Sequence, residues 1–281
     1  HIKFWYILGN PKPLIGNSMK HLLIILSFLL LSSCTKQGFL YRHGEVNEFN
    51  VYTWDTFGDQ KYNPIYEGEI YNGKPYGFGT LTFPNGEVHI GEFGYGVLIG
   101  RGRVLFPNGF KFIGEFKDGL NDANGIMTSP DGYIYDGDIK NSKHHGQGTF
   151  SFDGNKYVGE FKNGMMHGQG TFITHDGNKY IGEMSKGQMN GRGTFISSDG
   201  SKFTGEFIDG GRKIIGTVNL SDGGKYVGNM KDFEPSGQGK MFWSNGNNFV
   251  GEWKNGKEFN GKKYDKDGNI IEKFVNGVKQ K

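Results

Sequence analysis

Carboxylates and amines recur at fixed intervals along this chain, and they are the first residues whose spacing invites chemistry. Glu69, Glu92, Glu115, Asp138, Glu160, Glu183, Glu206 and Glu252 form an acidic series, and Lys111, Lys156, Lys179, Lys202 and Lys225 a basic one. General acid–base catalysis needs two carboxylates held in unlike environments. Equivalent positions about 10 Å apart on every other strand are the opposite of that. The expectation is a solvated face on which each carboxylate meets a neighbouring lysine or threonine. The lysines would collect anionic headgroups or another polyanion, but interleaving with the acids largely cancels their field. His144, His145 and His167 are metal-ligand types. His145 and His167 nevertheless share a repeat position with Asn190, and no clear further ligand accompanies them. No Ser/His/Asp order and no phosphate loop accompanies these series, so neither an enzyme nor a cofactor or metal site is expected.

Cys34 is the only cysteine, which removes an internal disulfide framework and a CxxC metal site. Its setting is suggestive. Met19 opens a segment with Lys20 and His21, then an apolar run from Leu22 to Leu31, then Ser32 and Ser33. The run is far shorter than the roughly 20 residues that span a bilayer. Leu31-Ser32-Ser33-Cys34 resembles a bacterial lipobox, which implies acylation of Cys34 as the first mature residue. Acyl chains anchor durably because each buried CH₂ contributes about 0.8 kcal/mol. The expected organisation is a stray extension at 1–18, a lipoprotein-type signal at 19–33, a tether and N-terminal cap at 34–61, and an array at 62–281. The expected location is a bacterial cell envelope, with the chain anchored to a membrane through Cys34.

The elements that must position these residues are strands. Glycine accounts for 49 of 281 residues, aromatics for 15%, and alanine is nearly absent. Such a chain is poor helix material, since glycine costs about 1 kcal/mol against alanine in a helix. It suits short strands joined by tight turns, with aromatic rings carrying the burial. A formal net charge of +3 gives no reason to expect nucleic acid.

The strands repeat. An aromatic-x-Gly-Glu fragment recurs at Tyr66, Phe112, Tyr157, Tyr180, Phe203 and Phe249, with looser copies at His89, Tyr135 and Tyr226. The marker glycines are Gly68, Gly91, Gly114, Gly137, Gly159, Gly182, Gly205, Gly228 and Gly251, a period of 23 residues with one step of 22. Asn-Gly or Asp-Gly pairs from Asn85-Gly86 to Asp267-Gly268 hold one phase, and a second set includes Asn72-Gly73 and Asn163-Gly164. Such pairs suit turns with positive φ at the centre. Alternation puts Tyr157, Gly159 and Phe161 on one face and Lys156, Val158 and Glu160 on the other.

These residues resemble the MORN repeat, close to Tyr-x-Gly-Glu-aromatic followed by Gly-x-Gly-x-aromatic, over about Tyr62 to Phe274. Ala123 and the segment 211–217 depart from the glycine pair. The resemblance implies an all-β, elongated and twisted antiparallel sheet or solenoid of consecutive hairpins, about 90 Å long at 4.8 Å per strand. It also carries links to phospholipid binding and to phosphatidylinositol phosphate kinases, although no kinase domain is present in the sequence. The expected role is a binding or scaffold surface for protein partners. The aromatic face is the expected contact patch or the site of self-association, and a phospholipid surface is the alternative partner.

Overall fold

The computed structural model describes residues 35–43 and 52–280. The sequence-stretch holding Cys34 and the apolar run lies outside these residues. All the named strands join in one sheet of 22 strands, antiparallel throughout and not closed into a barrel. The first is β1 (Lys36–His43), flanked by β2 (Thr53–Asp55) on one side and β3 (Ile65–Tyr71) on the other. From β3 onward each strand pairs with the next in sequence. The order runs β4 (Lys74–Thr82), β5 (Val88–Gly94), β6 (Val97–Leu105), β7 (Lys111–Asp118), β8 (Asp122–Thr128), β9 (Ile134–Lys140) and β10 (Lys143–Phe152). It continues through β11 (Asn155–Lys162), β12 (Met165–Ile173), β13 (Lys179–Ser185), β14 (Gln188–Ile196), β15 (Lys202–Ile208) and β16 (Lys213–Asn219). It ends with β17 (Lys225–Lys231), β18 (Glu234–Phe242), β19 (Asn248–Lys254), β20 (Lys257–Tyr264), β21 (Ile270–Val275) and β22 (Val278–Gln280).

Two kinds of turn alternate. At one end of the hairpins the Asn-Gly and Asp-Gly pairs sit in three-residue loops. In Phe83–Glu87 the Gly86 amide donates to the Phe83 carbonyl at 2.9 Å and the Phe83 amide to the Glu87 carbonyl at 2.8 Å. Only the glycine of the pair takes positive φ there (89° at Gly86), the turn-plus-bulge loop rather than one with two left-handed residues. The 22-residue step has a direct cause. Phe172 to Tyr180 brackets His175-Asp176-Gly177, whereas Phe150 to Tyr157 holds Asp153-Gly154 with one residue fewer. Both members of that shorter pair are left-handed (φ 50° and 73°), and the ring register survives, Phe150 opposite Tyr157 and Phe172 opposite Tyr180. At the other end, two-residue loops such as Asn72-Gly73 and Asn163-Gly164 have both residues at positive φ. Tyr95-Gly96, Lys186-Gly187 and Asp232-Phe233 do the same without an Asx-Gly signal.

Many loops are also bonded to the one beside them. The Gly96, Gly164, Gly187 and Gly256 amides donate to the Pro75, His144, Met166 and Pro235 carbonyls at 2.9–3.1 Å. On the opposite margin Asn155 and Asn178 accept from the His175 and Ser198 amides at 3.2 and 2.9 Å.

The core is one ring deep. Tyr157 lies along its own strand over Gly159 and across to Gly170, where an added Cβ would come within 3 Å of the ring. Phe161 then packs edge-on against Tyr157 and against Tyr135 of the preceding unit, each at 5.2 Å. Trp253 does the same with Phe249 at 5.0 Å and Tyr226 at 5.6 Å. A sheet otherwise open to water on this side therefore buries Tyr66, Phe112, Tyr135, Tyr157, Tyr180, Tyr226 and Phe249 to 1% exposure or less. Such edge-to-face pairs add about 0.5–1.5 kcal/mol each beyond area.

Candidate interaction surface

The repeated residues divide into those that build the sheet and those that remain available on it. The glycines of the repeat are sites of close backbone approach: a Cβ on Gly114, Gly137, Gly205 or Gly251 would fall within 3 Å of the backbone of the paired strand. The aromatic positions, Phe203 included, are core. The marker rings cover one another from unit to unit and are withdrawn from the expected aromatic contact face, while the second rings Phe150, Phe172 and Phe195 stay half-buried on it.

The first glycine of Gly-x-Gly does something else. Gly77, Gly146, Gly168, Gly191 and Gly237 all have left-handed φ between 57° and 83°. Each sits in a bulge: Gly159 pairs with Gly170 but Glu160 with His167, so Gly168 and Gln169 are looped out of the ladder. The acidic series is used here. Glu160 accepts from the Gln169 amide at 3.1 Å, Glu183 from the Arg192 amide at 3.3 Å, and Glu69 from the Phe78 amide at 3.4 Å. Among the described residues no ion pair joins Glu69, Glu92, Glu115, Asp138, Glu160, Glu183, Glu206 or Glu252 to a lysine. For Glu69, Glu160 and Glu183 the expected Lys or Thr partnership gives way to capping of the bulge, while Asp138 and Glu252 accept from the Asn124 and Asn260 side-chain amides.

The tyrosine hydroxyls complete the same device. Tyr66, Tyr135, Tyr157, Tyr180 and Tyr226 donate to the carbonyls of Glu69, Asp138, Glu160, Glu183 and Asn229 at 2.7–3.0 Å. His145 and His167 enter through their carbonyls, which also accept from Tyr135 and Tyr157. His144 stacks on the Tyr135 ring at 3.7 Å and meets the Tyr133 hydroxyl at 2.8 Å. Burial pushes Tyr66, Tyr157, Tyr180 and Tyr226 up to about 12 and holds the His144 imidazole below its ordinary value. The three phenylalanine units lack the left-handed glycine. Phe112, Phe203 and Phe249 belong with Ala123, Ile214 and Phe259 at the bulge position. In the first two of these units the ladder runs straight, Glu115 opposite Asn124 and Glu206 opposite Ile215.

What remains available is the outer face. Lys111, Lys156, Lys202 and Lys225 are exposed there and Lys179 is half-buried. Between them runs a row of exposed β-branched side chains, including Ile113, Ile126, Val158, Ile181, Val227 and Val250. From β3 to β15 acids and bases alternate on this face. From β16 onward it carries Lys213, Lys225, Lys231, Lys240, Lys254, Lys257, Lys262 and Lys273 against Glu234 and Glu252. The basic series noticed in the sequence holds only Lys225 of these. The others sit at different repeat phases and come together only through register, as in Lys213 opposite Lys231 and Lys262 opposite Lys273.

The MORN repeat family matches residues 66–88, 112–132, 135–156, 157–179, 180–202, 226–248 and 249–270, more than half of the sequence. The chain belongs to the MORN-repeat family. The two units between matched segments, β5–β6 and β15–β16, form the same hairpins. They replace the ring by His89 and the glycine by Ile214, although Ala123 and Phe259 replace that glycine within matched segments. No curated protein matches the sequence significantly. Among solved structures, the G-box domain of the microcephaly protein CPAP aligns at 12% identity, covering 78% of this chain and 94% of that one, with a TM-score of 0.27. The TCP domain of SAS-4 (dCPAP) of Drosophila melanogaster, solved with a proline-rich motif of Ana2 (dSTIL), aligns at 9% identity, covering 60% and 81%, with a TM-score of 0.26. Superpositions that loose transfer neither fold detail nor function.

Proposed function

We propose that this MORN-repeat chain is a non-catalytic scaffold of a bacterial cell envelope, held at a membrane by a lipidated Cys34 and presenting its outer face to protein partners. The observation that carries the reading is the division of the two faces. Inner rings are consumed by packing, whereas the outer β-branched row repeats on successive strands and stays exposed. The exposed Phe39 and Phe78 extend that row at its N-terminal end, and aromatic side chains are favoured at interface centres. Crosslinking pull-down of wild type beside Cys34→Ser and the outer-row pair Val158→Lys with Ile181→Lys tests it. The reading expects Cys34→Ser to leave the membrane fraction and the double variant to lose its crosslinked partners. Unchanged fractionation refutes the anchor, and unchanged crosslinks refute the outer face. Self-association through that face would appear as concentration-dependent sedimentation.

One observation favours a second reading, an anionic phospholipid surface as partner. The outer face of β16–β21 carries a lysine excess, of which only Lys213 has an ion-pair partner among the described residues, Asp209 at 3.6 Å. Vesicles containing anionic lipid should float a fragment lacking residues 1–34, which keeps β1 whole, at low salt and release it at high salt. Absence of flotation at low salt removes this reading.

A further inference from the structure

The aromatic ladder of the inner face is interrupted once. In the second unit the ring position is His89, and Leu98 takes over the dent between Gly91 and Gly102 that a tyrosine fills elsewhere. The space left open is a cavity of about 470 Å³, within the size range of small-molecule sites. Arg42 of β1, Tyr52 and Trp54 of the adjoining segment, and Phe83, His89 and Leu98 of the first hairpins line it. Trp54 closes one side over Gly96, within van der Waals reach of the indole, and packs edge-on against Tyr66 at 6.3 Å.

Elsewhere on the inner face a cation over a ring is ion-paired: Lys263 lies 4.4 Å from the Trp243 ring centre with Glu258 and Glu272 each at 3.9 Å. The Arg42 guanidinium lies 4.0 Å from the Tyr52 ring centre and 4.8 Å from that of Phe83. Rings on the guanidinium direct its useful hydrogen bonding to the edge, whose N–H fork matches a planar carboxylate. His89 bonds Glu87 at 2.6 Å with both side chains largely buried. Desolvation holds the His89 imidazole below its ordinary pKa, against the opposing pull of the Glu87 carboxylate. Lys74 and Asp118 at the mouth offset one another, and Arg42, which feels the field of the Glu87 carboxylate that His89 bonds, has no ion-pair partner of its own among the described residues. The other units fill the ring position itself with tyrosine or phenylalanine, so the array does not by itself require a histidine there with an arginine beside it.

We propose that this cavity is a binding site for a small organic carboxylate with an apolar or aromatic body, its carboxylate on the Arg42 fork and its body against Trp54, Phe83 and Leu98. A free acid and the C-terminal carboxyl of a peptide ending in phenylalanine share this chemistry. Phenylacetate, phenylethylamine and a short Phe-terminated peptide with free or amidated C-terminus are the probes, titrated against the full chain and followed by tryptophan fluorescence and ligand-observed NMR. For a ligand of that size the expected Kd is about 1 mM. Phenylacetate binding with weak peptide binding assigns a free acid. Preference for the free-carboxyl peptide over its amide assigns a peptide end. Arg42→Met, which keeps the packing but loses the fork, should weaken either by roughly tenfold or more. His89→Tyr restores the ring found in other units, and should abolish binding while leaving the far-UV spectrum and melting intact or improved. Phenylethylamine binding as well as phenylacetate, or equal binding by wild type and both variants, overturns the proposal. So does the absence of saturable binding by either carboxylate.

Discussion

Tyr157 and Gly168 show how two residues eleven positions apart act as one feature. A left-handed glycine lets the strand bulge, the bulge frees the Glu160 carbonyl, and the tyrosine hydroxyl takes that carbonyl up. Tyr157→Phe should therefore cost about 1 kcal/mol in urea unfolding, the net value of one hydrogen bond and more if the carbonyl stays dry. Phe112→Tyr, in a unit without the bulge, should gain nothing, since the Glu115 strand position is already paired with Asn124. Gly168→Ala meets both the strained φ of 57° and the Glu160 carboxylate, and should cost roughly 1–3 kcal/mol. Alkali probes the same hydroxyls. Their folded pKa lies near 12, above the unfolded value of about 10. The stability they contribute is complete below pH 10 and declines as pH rises towards 12. Tyrosinate absorbance from these residues should rise together with loss of the β-sheet circular dichroism; titration of all tyrosines near pH 10 with the sheet intact would contradict this. Gly-x-Gly marked these places in the sequence, but spacing alone does not say which of two glycines turns left-handed. The link between tyrosine and bulge needed the carbonyl that the bulge sets free.

At the scale of the hairpin, the turns are tolerant and the strands are not. The natural loss of one residue before Asp153 converts a three-residue loop into a two-residue one and leaves Phe150 opposite Tyr157. Deleting His175 should do the same in the next unit, with a stability change of about 1 kcal/mol or less. Deleting Thr171, four residues earlier and inside β12, would reverse the faces of that strand and should abolish cooperative folding of its hairpin. Thermal melts and hydrogen exchange of the two deletions separate the cases. Strand positions and faces were legible in the sequence because period two, Asx-Gly pairs and a fixed repeat all agree. The turns at Tyr95-Gly96 and Asp232-Phe233 were not, because there the neighbouring strands impose left-handed backbone on residues that carry little preference for it. The outer lysine field was hidden for a related reason: its members lie at different phases of the repeat, and only the register sets them side by side.

For the whole molecule, contacts run from each hairpin to its neighbours, so stability is distributed as in other linear repeat proteins. Phe249 holds the C-terminal end through Trp253 and Phe274, at 5.0 and 5.9 Å. Phe249→Ala should cost about 3–5 kcal/mol locally. Hydrogen exchange should then quicken in β19–β22 while β9–β14 keep their protection, and uniform loss across the sheet would argue for a single cooperative unit. The membership of the MORN-repeat family was readable from the sequence, and so was the antiparallel sheet. The cavity beneath Trp54 was not: His89 stood out as a loose copy of the motif, but the walls come from Arg42, Tyr52 and Trp54, which belong to no repeat.

The bonds that tie loop to loop have a mechanical consequence. Strands run across the array, so a load applied between its two ends pulls neighbouring hairpins apart edge by edge instead of shearing whole ladders at once. The chain would lengthen in steps, each releasing one unit of 22 or 23 residues, with the loop-to-loop bonds on both margins as the first to part. An array built this way yields by increments under tension and recovers one hairpin at a time, more extensible leash than rigid strut.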